Sequence, residues 1–179
     1  QQLQSLVGIR SIHKGVLIFE DQMALDFAKV FITHFDHSLL SKFALAVGGS
    51  DSDLSEIAMR FPRLESFVVI TVYDGDMKAK INLEKNKIDF AFLPGTEAPE
   101  NLLLSAIKNK TGSFSEAISR EKSEVEFYLG ELEGTDHHDF LHAFSNKICI
   151  SKEPLIVASF KVWISEPSNQ EIAQQAFNE

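Results

Sequence analysis

The sequence predicts an α/β protein: a parallel four-stranded sheet flanked by helices, with a helical extension at its C-terminal end. Three observations carry that prediction. Short apolar runs alternate with helical patterns over the first 110 residues, the signature of a parallel sheet with right-handed crossovers. The strand runs lack polar alternation, most clearly Phe67–Tyr73 (FVVITVY), as strands buried on both faces do. Beyond residue 110 the apolar spacing is helical.

Taken in order, residues 1–13 read as the tail of a preceding element. Leu3, Leu6, Val7 and Ile9 are spaced loosely as on a helix, and Gly15 breaks the pattern. The first residue is Gln, so the chain reads as the C-terminal region of something longer. Val16–Phe19 is the first strand, with Glu20 and Asp21 at its carboxyl end. Met23, Phe27, Val30, Phe31 and Phe35 then recur at helical spacing over residues 22–35. The unit repeats: Phe43–Val47 is a strand, Gly48-Gly49-Ser50 a tight turn, and Asp53–Phe61 a helix capped by Asp51 or Ser52 and ended by Pro62. Phe67–Tyr73 delivers Asp74-Gly75-Asp76. Residues 77–87 are polar and Lys-rich and suggest a short helix. Ile88–Leu93 is the fourth strand, and Pro99 fits the first turn of a helix through Ile107. Helices are expected near 113–121, 124–132, 137–147, 153–164 and 169–177, with breaks at Gly112, Gly130 and Gly134. The expected division is 1–13 as a tail, 14–110 as the core and 111–179 as a helical extension packed on it.

Composition narrows the function. The net charge of −9 argues against a protein that holds nucleic acid through its overall field. It leaves room for an acidic pocket that meets phosphates through metal ions. Residues 1–50 are balanced in charge, so the acidic excess lies beyond them, in the part that holds Asp74, Asp76 and Glu100. A single Cys149 excludes an intramolecular disulfide framework, and a cytoplasmic protein is expected. No apolar run approaches membrane-spanning length, and no signal peptide opens the chain, so no membrane partner is expected.

The chemistry is expected at the strand ends. Open α/β sheets place ligands at the carboxyl ends of their strands. Gly75 lets the backbone bend so that Asp74 and Asp76 reach one point, and two such oxygens suit a hard divalent cation. An isolated Asp-Gly is more often a turn. Here, however, three strands end in acids: Glu20-Asp21, Asp74 with Asp76, and Pro94-Gly95 followed by Glu100. Carboxylates that converge repel and shift one another's pKa values, an arrangement sustained when a cation neutralises it.

The ordered set VLIFED, VGGSDSD, ITVYDGD and FLPGTEAPENLLL resembles a TOPRIM domain. It is most similar to those of OLD-type (overcoming lysogenization defect) nucleases, which join an ABC-like ATPase to a C-terminal TOPRIM domain and include Gabija-like defence proteins. The resemblance covers residues 14–110 and, more loosely, the helical tail with Asp136-His137-His138-Asp139. Glu20 matches the family's invariant Glu, and Asp74 and Asp76 its Asp-x-Asp. Leu93–Glu100 matches a segment characteristic of the OLD-type branch. Two positions depart: Asp21 stands where many members have Gly, and Ala24 where some carry a second acid. Asp21, Asp26 or Glu100 is left to complete the second set of ligands.

The resemblance implies a Rossmann-like TOPRIM sheet and DNA phosphodiester hydrolysis with two Mg²⁺ ions, or Mn²⁺ or Ca²⁺ in the same site. Asp74 and Asp76 would hold one ion, and Glu20 with Asp21 or Glu100 the other. Lys152 matches the position where OLD-type proteins place a lysine near the scissile phosphate. The implied partners are DNA, an N-terminal ABC-type ATPase region and further copies of the chain, in anti-phage defence. From the residues themselves, Gly48, Gly49 and Ser50 could donate backbone N–H groups to a phosphate or form a plain turn. Lys78 and Lys80 read as phosphate contacts or as a solvated face.

Two other classes compete. Leu83–Leu93 also resembles the helix-to-strand step of periplasmic-type effector-binding domains, which sense small molecules; that reading leaves Glu20 and the Asp-Gly-Asp unexplained. Other TOPRIM chemistries, primase or topoisomerase, are the third class. A topoisomerase needs a tyrosine nucleophile, and Tyr73 and Tyr128 fall in a buried strand and a helix. His138 and His142 share a helix face. With one Cys and no evident third ligand they do not point to zinc, and His137 and His138 read as groups that cap or pack a helix near the site.

Overall fold

The computed structural model describes residues 13–81 and 84–178. The helical reading of Leu3, Leu6, Val7 and Ile9 lies outside them. Four parallel strands form one sheet in the order β2-β1-β3-β4: β1 is Gly15–Phe19, β2 Phe43–Val47, β3 Val68–Tyr73 and β4 Asp89–Phe92. Leu17 lies level with Leu45 and Ile70, and Phe19 with Val47 and Val72. These apolar runs are strands because β-branched and aromatic side chains suit a pleated surface packed on both sides.

The two faces are covered by different crossovers. Helix α1 (Gln22–Asp36) leads from β1 to β2. It belongs to the large core with Leu17, Phe19, Leu45, Ile70 and Val72. Helix α3 (Asp51–Arg60) leads from β2 to β3 and packs Ile57 and Ala58 on the opposite face, against Val16, Ile18, Val69 and Ile88. The chain therefore leaves β1 to one side and returns to β3 on the other. The gap between the carboxyl ends of β1 and β3 is the topological switch point, where open α/β sheets bind ligands.

The helices after β4 are α4 (Pro99–Asn109), α5 (Thr111–Ala117), α6 (Lys122–Glu131), α7 (His137–Ile148), α8 (Lys152–Ile164) and α9 (Pro167–Asn178). They share the large core with α1 and the sheet. Helix α8 is buried on most sides, as the apolar stretch from Leu155 to Ile164, broken by Ser159 and the exposed Lys161, requires. Phe160 meets the edge of Phe27 at 5.8 Å between ring centroids, and Trp163 meets Phe27 at 6.4 Å. Such pairs contribute about 0.5–1.5 kcal/mol each beyond their area. The Phe-rich composition thus serves to fix the helical extension on α1. Among the described residues no helix is long and apolar enough to cross a membrane.

Several local expectations are corrected. The cap of α3 is Ser50, not Asp51 or Ser52. Ser50 N donates to Asp53 Oδ2 at 2.9 Å while Asp53 N donates to Ser50 Oγ at 3.4 Å, a reciprocal capping box. Gly112 and Gly130 lie inside α5 and α6 rather than between helices. Gly134, at φ +84°, is the glycine that turns the chain. The described part of residues 77–87 holds no α-helix; a 3₁₀ turn, Gly75–Ala79, follows Asp74 directly. A four-residue helix not foreseen, α2 (Leu39–Lys42), sets the chain up for β2.

Candidate metal centre at the acidic sheet edge

Because Phe19 pairs with Val72, Glu20 follows β1 level with the end of β3, from which Asp74 projects one residue later. Both sit at the switch point, and both are half-buried. Glu100 comes from the first turn of α4 and is 4% exposed, the one buried charged side chain among the described residues. Gly75 explains how these loops close. A Cβ there would lie 2.7 Å from the Gly95 carbonyl oxygen and 3.2 Å from that of Glu97. A side chain at residue 75 would hold the loop after β4 away from Asp74 and Asp76.

The carboxylates act on one another. Burial pushes Asp74 up to about 8, and the charges of Glu20, Glu100, Asp21 and Asp76 add to that rise. Glu20 is raised too, first by burial and then by Asp51, Asp21, Asp76 and Glu100. Asp51 is the acid that sequence reasoning missed. It opens α3 just after β2, so its strand-turn-acid pattern, VGGSD, was the available signal. Asp74 Oδ1 is buried and has no hydrogen-bond partner. An unpaired buried carboxylate oxygen is unfavourable unless a proton or a cation meets it.

The other candidates are placed as follows. Asp21 is the N-cap of α1, its Oδ1 accepting from Ala24 N at 2.8 Å. Asp26 accepts from Gln22 Nε2 at 2.9 Å and from Lys29 Nζ at 3.1 Å, within its own helix. Asp76 Oδ2 accepts from Lys80 Nζ at 2.6 Å. Lys78 lies over the Phe92 ring, 5.9 Å from its centroid. Lys152 opens α8 and is exposed; among the described residues no hydrogen bond or ion pair joins it to the acids.

The phosphate cradle expected at Gly48, Gly49 and Ser50 is corrected. Gly48 N donates to Phe19 O at 2.8 Å, Gly49 N to Glu20 O at 3.2 Å, and Ser50 N to Asp53 Oδ2. All three amides serve the turn and the cap, so no free row of donors remains.

The acids are electrostatically coupled without closing to ligand spacing. Among the described residues, Asp136, His137 and His138 form the sole group of three or more ligand side chains with all ligand atoms within 4.8 Å. The edge nonetheless fits a hard divalent cation. Its donors are all carboxylate oxygens, one is orphaned, and each acid's charge opposes the next.

No family model matches the chain, and no curated protein does. Two solved structures similar to it are C-terminal regions of OLD proteins. That of Xanthomonas campestris pv. campestris shares 10% identity over 94% of this chain and 95% of that one, at a TM-score of 0.46. That of Burkholderia pseudomallei shares 12% over 92% and 96%, at 0.44.

Proposed function

We propose that this chain is the TOPRIM nuclease domain of an OLD-type ATPase–nuclease, cutting DNA phosphodiester bonds with Mg²⁺ or Mn²⁺. The observation that carries this reading is Asp74 at the switch point of the sheet, a carboxylate with an orphaned oxygen, raised by its burial and then by Glu20 and Glu100. A sheet edge that gathers acids at this electrostatic disadvantage gains most from a bound cation.

Asp74 and Asp76 would hold one ion, and Glu20 with Glu100 a second. Glu100 takes precedence over Asp21 because it is buried and acts on Asp74 more strongly, while one oxygen of Asp21 caps α1. A bound divalent pair supplies a water of lowered pKa and offsets negative charge at a phosphate. The chain's own tasks are distinct. Asp74 must release its proton when the site fills. Lys80 sits at the rim on Asp76, where its ammonium can turn towards a phosphate oxygen. Lys152 is assigned to the scissile phosphate on the sequence resemblance. The substrate DNA, the partner ATPase region, self-association and a role in anti-phage defence belong to the same proposal. Neither tyrosine favours a topoisomerase reading: Tyr73 is fully buried, and Tyr128 is half-buried within α6.

The test is cleavage of supercoiled plasmid with Mn²⁺ by nuclease-free preparations. Asp74→Asn and Asp76→Asn should each lower nicking by a factor of about 100 or more while circular dichroism stays unchanged. Undiminished cleavage by both variants would overturn the assignment.

A further inference from the structure

Asp136, His137 and His138 open α7, and one ligand atom from each lies within 4.8 Å of the others. We propose that this triplet is a separate binding site for a borderline divalent metal, Zn²⁺, oriented by Glu100. The proposal does not rest on the nuclease reading. Two imidazoles and a carboxylate are the donor set of zinc rather than of magnesium. The sequence lacked an evident third ligand; the structure supplies Asp136.

The triplet is held in place before any metal arrives. Asp136 caps α7, its Oδ1 accepting from His138 N at 2.9 Å, which leaves Oδ2 to meet a cation. The His137 and His138 rings lie over each other with centroids 3.9 Å apart, and His137 Nδ1 stands 3.6 Å from Asp136 Oδ1. His138 Nδ1 lies 3.3 Å from Oε1 of the buried Glu100. With Nδ1–H donated to Glu100, the lone pair of Nε2 is left for a metal, the carboxylate–histidine–metal relation that fixes a ligand's tautomer and direction. Ligands at about 2.1 Å from a tetrahedral ion stand about 3.4 Å apart, so binding requires the three side chains to rotate inward. A filled site would tie the head of α7 to the first turn of α4.

The test is titration of the metal-free chain with Co²⁺, followed by visible absorption. One equivalent should give the bands of a low-coordinate Co²⁺ site, and equimolar Zn²⁺ should remove them. His137→Ala and His138→Ala should each weaken binding at least tenfold; both imidazoles are partly exposed, so the fold should survive. Asp136→Asn is a further check, because Asn caps a helix as well as Asp but carries no charge; it too should weaken binding. Asp74→Asn and Asp76→Asn should leave the bands intact, which separates this site from the acidic edge. The proposal is overturned if no bands form, if they survive both histidine variants, or if Asp74→Asn removes them.

Discussion

Lys80 occupies Asp76: its Nζ stands 2.6 Å from Oδ2, one turn along from the acid it neutralises. The same ammonium feels Asp51 and Glu20, and Asp76 is the group that raises it most. At the acidic edge, Lys80 is therefore the side-chain cation that a metal would have to displace.

Removing that cation should tighten metal binding. An exposed ion pair is a weak competitor for its carboxylate, and loss of a nearby positive charge adds to the gain. Lys80→Met is expected to bind Mn²⁺ roughly threefold to tenfold more tightly by calorimetry. Weaker binding by the variant would mean that Lys80 holds Asp76 in a productive position instead of competing for it.

Asp74 sets a pH dependence whose sign is fixed. The folded chain keeps this proton up to about pH 8, whereas the unfolded carboxyl releases it near 3.8. Between those values the folded state binds more protons, so raising the pH favours unfolding. The stabilising contribution is fully present below about 3.8 and is lost as the pH passes through about 8. In buffer containing chelator, urea midpoints should fall from pH 5 to pH 8, and Asp74→Asn should flatten that fall. Parallel curves for the two proteins would show that Asp74 ionises freely in the fold.

What the sequence revealed and what it hid follow from different ranges of interaction. Val68–Tyr73 was legible because an inner strand covered on both faces is an uninterrupted apolar run, and Phe43–Val47 because even this half-buried edge strand is wholly apolar. The acids Glu20, Asp74 and Glu100 were legible because they follow such runs. Asp51 was masked by its second part as a helix-opening residue, and the true cap lay one residue earlier. Gly112 and Gly130 looked like breaks, but tertiary packing carries both helices across them. The engagement of the Gly48, Gly49 and Ser50 amides depends on the end of β1 and on Asp53, contacts no local pattern discloses.

Glu20 and Asp21 are neighbours with different work. Glu20 faces Asp51, Asp76 and Glu100, while Asp21 caps α1. Asn caps a helix about as well as Asp, so Asp21→Asn should keep the fold and most of the cleavage rate. Glu20→Gln keeps the shape but removes a charge that would face the metal, and should cost at least tenfold more activity. Kinetics of the two variants on the same plasmid decide the matter; equal losses would make Asp21 a ligand as well as a cap.

Gly75 offers the sharpest test of how the edge is built. Its missing Cβ leaves room for the backbone of Gly95 and Glu97, and a Cβ would approach Gly95 O to 2.7 Å and Gly95 C to 2.9 Å. Those are backbone atoms, so no rotamer change can relieve the overlap. Either the loop after β4 retreats or the Asp-Gly-Asp turn does, and each movement separates Glu100 from Asp74. Overpacking of this kind costs about 1–3 kcal/mol. At about 2–4 °C per kcal/mol for a chain of this length, Gly75→Ala should lower Tm by roughly 2–12 °C. Gly130 is the matched control: it lies in a helix, and a Cβ there meets nothing within 4 Å. Gly130→Ala should leave Tm unchanged or raise it, since it only restricts the unfolded chain and improves helix propensity by up to about 1 kcal/mol. If the two variants melt alike, the closure of the β4 loop onto Asp74 is not held by the missing side chain at residue 75.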